Sequence, residues 1–211
     1  MKKILIITLS ILLSHFTYAD SPLTSTDFYK AYLDVPMVLE AMHSNGQITN
    51  GMMEFMIDDS NPLDVKLAII NAIGWQHKGL MLSEMYLTKV INKKKYMSEF
   101  ESDYMAFKWN ATRDELLCFA YMKAMDNYFD VTDAFEIANE TLRKYPDSFA
   151  VNMIYNLIKA QGLVAFNEYC YAAKIFSVFK NNASLKMDMR KEALSYVTKY
   201  MDDLDLDCKI K

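Results

Sequence analysis

The chain has 211 residues, of which 52% are hydrophobic and 24% are charged, and its formal net charge is −4. The hydrophobic fraction argues against intrinsic disorder, and the scarcity of turn residues, five Gly and four Pro, argues against a β-rich fold. The acidic balance lacks the basic stripe of a nucleic-acid binder, so we expect no nucleic-acid partner.

Residues 1–19 have the pattern of a cleaved export signal. Two lysines precede an apolar run from Ile4 to Leu13, and the segment ends in Thr17-Tyr18-Ala19, whose small residues suit signal peptidase. The run has about half of the roughly 20 apolar residues that a membrane-spanning helix requires. We therefore predict cleavage after Ala19, export to the periplasm or the extracellular space, and no stable membrane insertion of the mature chain, residues 20–211.

The first half of the mature sequence predicts a series of helices, because its apolar residues recur three and four positions apart. Asn61 is the expected N-cap of the fourth helix, with Pro62 at its first position and Gly79 as its stop. The predicted helices span 26–34, 36–44, 47–58, 62–75, 80–91 and 96–109.

The second half has clearer helix starts. Thr112 and Glu115 form a capping box, and Ser148 is the expected N-cap of a helix that Gly162 ends. Between them, a helix that Asp130 or Thr132 caps ends before Pro146, and helices over about 164–179 and 184–203 follow. With no strand alternation anywhere, the sequence predicts a single all-α domain of stacked antiparallel helix hairpins.

The most regular hairpins lie within 112–180, and part of this segment resembles a known repeat. Ala134, Leu142, Tyr145-Pro146-Asp147 and Ala160-Gln161-Gly162 stand where tetratricopeptide repeats keep small, closing and turn residues. Residues 115–162 are on this basis similar to that family, which stacks helix hairpins of about 34 residues. The sequence departs from the family in the first helix of the hairpin, where Cys118, Met122 and Met125 replace its usual Trp, Gly and Tyr.

The resemblance implies a concave face lined by the first helices of successive hairpins. Polar residues three to four apart on these helices would meet a ligand there, and Asn and Lys side chains suit a peptide backbone or a carboxylate. The candidate binding residues are Lys123, Asn127, Asn152, Asn156 and Lys159. We therefore expect an exported binding or scaffolding protein whose partner is a peptide or protein outside the cytoplasm. A solvent-exposed polar face remains the alternative for these residues.

The other functional hypotheses are a small helical exported enzyme and a copper-handling protein. No catalytic motif is present, and we predict neither a catalytic residue nor a cofactor. The chain has 16 Met, and clusters of them near His43 and His77 could hold Cu(I). The alternative for these methionines is that they fill the irregular spaces of a helical core.

The three cysteines leave several redox states open. Cys118 lies in an apolar stretch and is expected to be a small buried residue. A disulfide between Cys170 and Cys208 is possible in an exported protein and would fix the C-terminal segment. Since three cysteines allow three pairings or none, the sequence does not decide among them.

Overall fold

The computed structural model of the chain describes residues 21–75, 81–95 and 102–210, with side chains described to residue 205. The predicted export signal lies outside these residues. Within them, the fold consists of one 3₁₀ turn and ten α-helices and contains no β-strand, which confirms the all-α prediction. Every described helix is too short or too polar to cross a membrane.

The elements follow one another through short loops. In chain order they are the 3₁₀ turn Phe28–Tyr32 and the helices α1 Pro36–His43, α2 Asn50–Ile57, α3 Leu63–Ile73, α4 Leu82–Lys94, α5 Asp103–Asn110, α6 Arg113–Asp126, α7 Thr132–Lys144, α8 Phe149–Ala165, α9 Tyr169–Lys180 and α10 Lys191–Ile210.

Two helix starts in the second half are confirmed by their hydrogen bonds. The Thr112 backbone N–H donates to Glu115 Oε2 at 2.8 Å, and the Glu115 N–H donates to Thr112 Oγ1 at 3.3 Å, so the capping box forms at α6. Ser148 Oγ accepts from the Val151 N–H at 3.2 Å at the start of α8. Each bond satisfies a backbone donor that has no partner within its helix.

The predicted boundaries of the fourth helix are wrong. The side chain of Asn61 does not cap it but donates to the Phe55 carbonyl oxygen at 2.8 Å, and helix α3 begins at Leu63. The helix ends at Ile73, because Gly74 adopts a φ of 71° that a side chain would strain. Gly79, the predicted stop, lies outside the described residues.

Gly162 does not end α8, which continues to Ala165. A Cβ at Gly162 would lie 3.4 Å from Val131 Cγ2, so this glycine allows α8 to approach the loop between α6 and α7. Two further predictions are also corrected: residues 26–34 form only the 3₁₀ turn, and the last helix begins at Lys191.

The residues between α9 and α10 have a packing role of their own. Lys186 forms an isolated bridge with Ser148, in which its N–H donates to the Asp147 carbonyl oxygen at 2.7 Å. Its own carbonyl oxygen accepts from the Phe149 N–H at 3.0 Å. The segment before α10 is therefore tied to the start of α8, which explains why the final helix starts late.

The helices α6 to α10 pack each on the next, and α3 and α4 pack on α6. The last helix, α10, also contacts the 3₁₀ turn at the beginning of the described chain. A contiguous core of buried side chains runs from Leu23 to Met201.

A buried asparagine fixes the N-terminal segment to this core. Asn71 Oδ1 accepts from the Tyr29 N–H at 2.8 Å, and its Nδ2 donates to Tyr121 Oη at 2.9 Å and to the Thr26 carbonyl oxygen at 3.2 Å. Because a buried amide is stable only when its hydrogen bonds are made, this arrangement holds residues 26–29 against α3 and α6.

Candidate functional site

The structure divides the five predicted binding residues between two grooves. Asn152, Asn156 and Lys159 line a groove between α8 and α9 with a volume of about 400 Å³. Lys123 and Asn127 line a second groove, of about 200 Å³, between the start of α4 and the turn that joins α6 to α7. The expected common face is therefore two separate surfaces. We call them the lysine groove and the acidic groove, for the charges that line each of them.

The polar wall of the lysine groove lies on α8. Asn152 Nδ2 donates to the Pro146 carbonyl oxygen at 2.9 Å and to the Ser148 carbonyl oxygen at 2.8 Å. Asn156 Nδ2 donates to the Asn152 carbonyl oxygen at 2.8 Å. Both amides are thus held in fixed orientations along the helix, which lowers the entropy that a ligand must overcome to contact them.

The start of α8 is positioned by Asp188, from the loop before α10. Its carboxylate accepts from Ser148 Oγ at 2.6 Å and from the Ala150 N–H at 2.8 Å. Arg113 Nη1, at the start of α6, donates to the same carboxylate at 3.1 Å. A carboxylate at a helix N-terminus interacts favourably with the helix dipole, so Asp188 joins three segments at the start of α8.

Two lysines and no carboxylate are among the residues that line the lysine groove. Helices α8 and α9 contain no Asp or Glu. The groove includes Lys159, whose Nζ lies 5.8 Å from the centroid of the Tyr155 ring, and Lys174 on α9. Neither lysine forms an ion pair with another described residue, whereas Lys180, at the end of α9, pairs with Asp202 at 2.5 Å. The groove therefore offers two ammonium groups to a ligand.

The sequence interpretation missed the α9 wall. Tyr171, Lys174, Ile175 and Val178 share one face of α9, three to four residues apart, and all line the lysine groove. Tyr171 is 50% exposed and Val178 is 69% exposed, so the wall presents apolar surface beside the ammonium groups. The sequence did indicate a surface poor in negative charge here, because Glu168 is the only acidic residue between Asp147 and Asp188.

The acidic groove has the opposite charge. Four carboxylates line it, from Glu84, Asp126, Asp130 and Asp133, together with Lys123 and Asn127. Lys123 is engaged by Asp133, with Nζ 3.6 Å from Oδ2. The two predicted residues here therefore lie in a setting that disfavours an anionic ligand.

Asp126 in this groove has a structural role. Its carboxylate accepts from the Leu82 N–H at 2.9 Å, from the Ser83 N–H at 2.9 Å and from Ser83 Oγ at 2.6 Å. It therefore caps the N-terminus of α4 from the end of α6 and stabilises that helix.

Two charged side chains, those of Lys66 and Glu115, lie in the core rather than in a groove. Lys66 is only 1% exposed, and its Nζ lies 3.9 Å from Asp114 Oδ2. Lys94 Nζ lies 2.9 Å from Glu115 Oε1 and 2.8 Å from Asp59 Oδ2. These pairs connect α3 and α4 to the start of α6. They act on the fold, because a buried charge is tolerated only beside a partner.

The methionines of the proposed copper cluster are mostly core residues. Met52, Met53 and Met56 are at most 2% exposed, while His43 lies on the surface and His77 is outside the described residues. In the described part of the chain, no group of three or more His, Cys, Asp or Glu side chains could hold a metal ion.

Two of the three cysteines are described. Cys118 is free and fully buried, and its burial raises the pKa of the thiol to about 12. Cys170 is disulfide-bonded. The side chain of Cys208, its predicted partner, lies outside the described residues.

Comparison of the chain with protein-family models, with curated proteins and with solved structures gives no match. The functional argument therefore rests on the grooves themselves.

Proposed function

We propose that the chain is an exported binding protein that holds an acidic segment of a peptide or protein partner in the lysine groove. One observation carries this proposal: two lysines that form no ion pair with a described residue, and the asparagines beside them, line a groove on two helices that have no carboxylate. The chain as a whole is acidic, with a formal net charge of −4, so the positive charge of the groove lining is opposite in sign to the net charge of the chain. The export signal predicted for residues 1–19 supports a location outside the cytoplasm.

The groove has the groups that recognition of such a segment requires. The ammonium groups of Lys159 and Lys174 suit Asp or Glu side chains of the partner. The amide oxygens of Asn152 and Asn156 suit backbone N–H groups of the partner, since an amide oxygen accepts hydrogen bonds, while both N–H groups of Asn152 already donate within the chain. Because the lysines are accessible to water, we expect them to raise the association rate and the salt dependence of binding more than the affinity.

The apolar wall supports selection beyond charge. Val178 and Tyr171 are exposed, and burial of apolar surface contributes about 25 cal/mol per Å². A ligand with an apolar residue next to its acidic group would bury this wall, so we propose acidic segments interrupted by apolar residues as ligands. We also propose that α6 to α9, which pack each on the next, include the hairpins that resemble tetratricopeptide repeats.

Selection from a random peptide library on the mature chain, residues 20–211, tests the proposal. We expect enrichment of peptides with Asp or Glu beside apolar residues, and loss of that enrichment in the double variant Lys159→Glu, Lys174→Glu. The matched control is Lys191→Glu, Lys199→Glu, which reverses two exposed lysines on α10 and should leave selection unchanged. A library without acidic enrichment, or enrichment that survives in the groove variant, contradicts the proposal.

A further inference from the structure

A third groove runs along α4, and most of its lining surface is apolar. Ile48 and Met53, at the start of α2, form one wall, and Met81 and Met85, at the start of α4, form the other. The volume is about 430 Å³. Met53 is 2% exposed, while Met81 is 48% exposed. We call this surface the methionine groove.

The length of the methionine groove fits an α-helix of a ligand. Its α4 wall extends from Met81 through Thr88 to Asn92, with lining residues three to four positions apart. Eleven residues of helix span about 16 Å, or three turns. An amphipathic helix in a groove uses anchors at i, i+3 or i+4, and i+7, which span about 10 Å and fit within this length. Methionine side chains adapt to the shape of such anchors, as they do on other peptide-binding surfaces.

The charge next to the groove selects the kind of helix. Met81 and Glu84 line both the methionine groove and the acidic groove, so the two surfaces are continuous. Lys89 and Lys123 lie on this surface, and both are engaged, the first by Glu54 at 3.2 Å and the second by Asp133. Neither Glu84 nor Asp130 forms an ion pair with a described residue, so the surface keeps an excess of negative charge.

We propose that the continuous surface docks an amphipathic helix of a partner protein that carries Lys or Arg residues at one end. The apolar face of this helix lies in the methionine groove, and its basic end lies over Glu84 and Asp130. This site is separate from the lysine groove and does not depend on it. The chain would then hold two segments of opposite charge, which is the property of a scaffold rather than of a single-site receptor.

A pair of synthetic peptides tests this inference. Both are helices of about five turns with Leu at the anchor positions, and one carries Lys at one end where the other carries Glu. Binding to the mature chain is measured by fluorescence anisotropy. We expect the Lys peptide to bind at least about tenfold more tightly than the Glu peptide, and Met85→Asp to weaken it by about tenfold or more. The paired substitution Glu84→Lys, Asp130→Lys should remove the preference for Lys.

Controls separate the two sites and the integrity of the fold. Met187→Asp replaces an exposed methionine outside the groove and should leave the dissociation constant unchanged, as should the variant Lys159→Glu, Lys174→Glu. Circular dichroism melts confirm that Met85→Asp is folded. The inference is overturned if the two peptides bind equally, if neither binds, or if Met85→Asp has no effect. It is also overturned if sedimentation shows a second copy of the chain occupying the groove.

Discussion

The guanidinium of Arg190 lies over the ring of Tyr32, with Cζ 4.7 Å from the ring centroid. The backbone N–H of Arg190 donates to Tyr32 Oη at 3.1 Å, and its side-chain Nη1 donates to the Ala31 carbonyl oxygen at 2.8 Å. The guanidinium also pairs with Asp34. The residue before α10 thus contacts the 3₁₀ turn, so the helical array is closed by its two ends rather than left as an open stack.

Arg190→Met should destabilise the protein measurably. Methionine keeps much of the apolar stem but removes the N–H donors and the charge of the guanidinium. The loss in the free energy of unfolding should therefore be about 1–3 kcal/mol. Urea unfolding monitored by circular dichroism measures it. Lys191→Met changes an exposed neighbour and should shift the free energy of unfolding by less than about 0.5 kcal/mol. Equal stability of the two variants would contradict the closing role.

Acid should weaken the same contact. The hydrogen bond from Arg190 holds the pKa of the Asp34 carboxyl below its ordinary value of 3.8. Because the folded pKa is the lower one, the stabilisation is present above about pH 4 and is lost as the pH falls through the folded value. Asp34→Asn should therefore lower stability at pH 7 and flatten the decline of stability below pH 4. Unfolding free energies at several pH values check this, and parallel curves for the two proteins would contradict it.

Local sequence patterns predicted two of the helix starts that are built from neighbouring residues, those of α6 and α8. Thr112 and Glu115 are three positions apart, and their capping box depends on little else. The start of α4 depends instead on Asp126, a residue 44 positions beyond Leu82, and Asp188 acts on α8 from a comparable distance. No periodicity in a single sequence shows which distant carboxylate reaches a helix end.

The candidate site likewise combines features that depend on neighbouring residues with features that depend on distant ones. Asn152, Asn156 and Lys159 were predicted from their spacing, because one helix face is a local property. Their neighbours across the lysine groove come from α9, since the groove forms within one hairpin and not between successive first helices. Lys123 and Asn127 therefore belong to another surface. Tertiary packing determines which groove each of these residues lines, and the spacing of polar residues in the sequence does not predict it.

Removal of the Asp188 carboxylate should loosen the start of α8. Asp188→Ala leaves the Ala150 N–H, Ser148 Oγ and the Arg113 guanidinium without this acceptor, which should cost about 2–4 kcal/mol. Amide hydrogen exchange should increase most in the first turn of α8. Asp203→Ala, an exposed position on α10, is the matched control. A uniform increase along the chain would argue against the local role.

The buried alanine positions of α7, where it packs against its neighbours, should not tolerate a large side chain. Ala134 and Ala138 are both at most 1% exposed, but Ala134 borders the acidic groove, which leaves space for a larger group. Ala138→Leu is thus the sharper test, and overpacking should cost about 1–3 kcal/mol. Ala183→Leu, in the exposed loop after α9, should be close to neutral. Equal melting temperatures for the two variants would show that α7 has room to move.

The buried thiol should be inert in the native protein. Burial raises the pKa of Cys118 to about 12, so at pH 8 only about one molecule in ten thousand carries the reactive thiolate. Access adds a second barrier, because the side chain has no exposed surface. Titration with a chromogenic disulfide at pH 8 should show one thiol that reacts only after urea is added. That signal should be missing in Cys118→Ser, which identifies the residue. Rapid reaction of the native thiol at a rate independent of urea would show that the core around α6 opens readily.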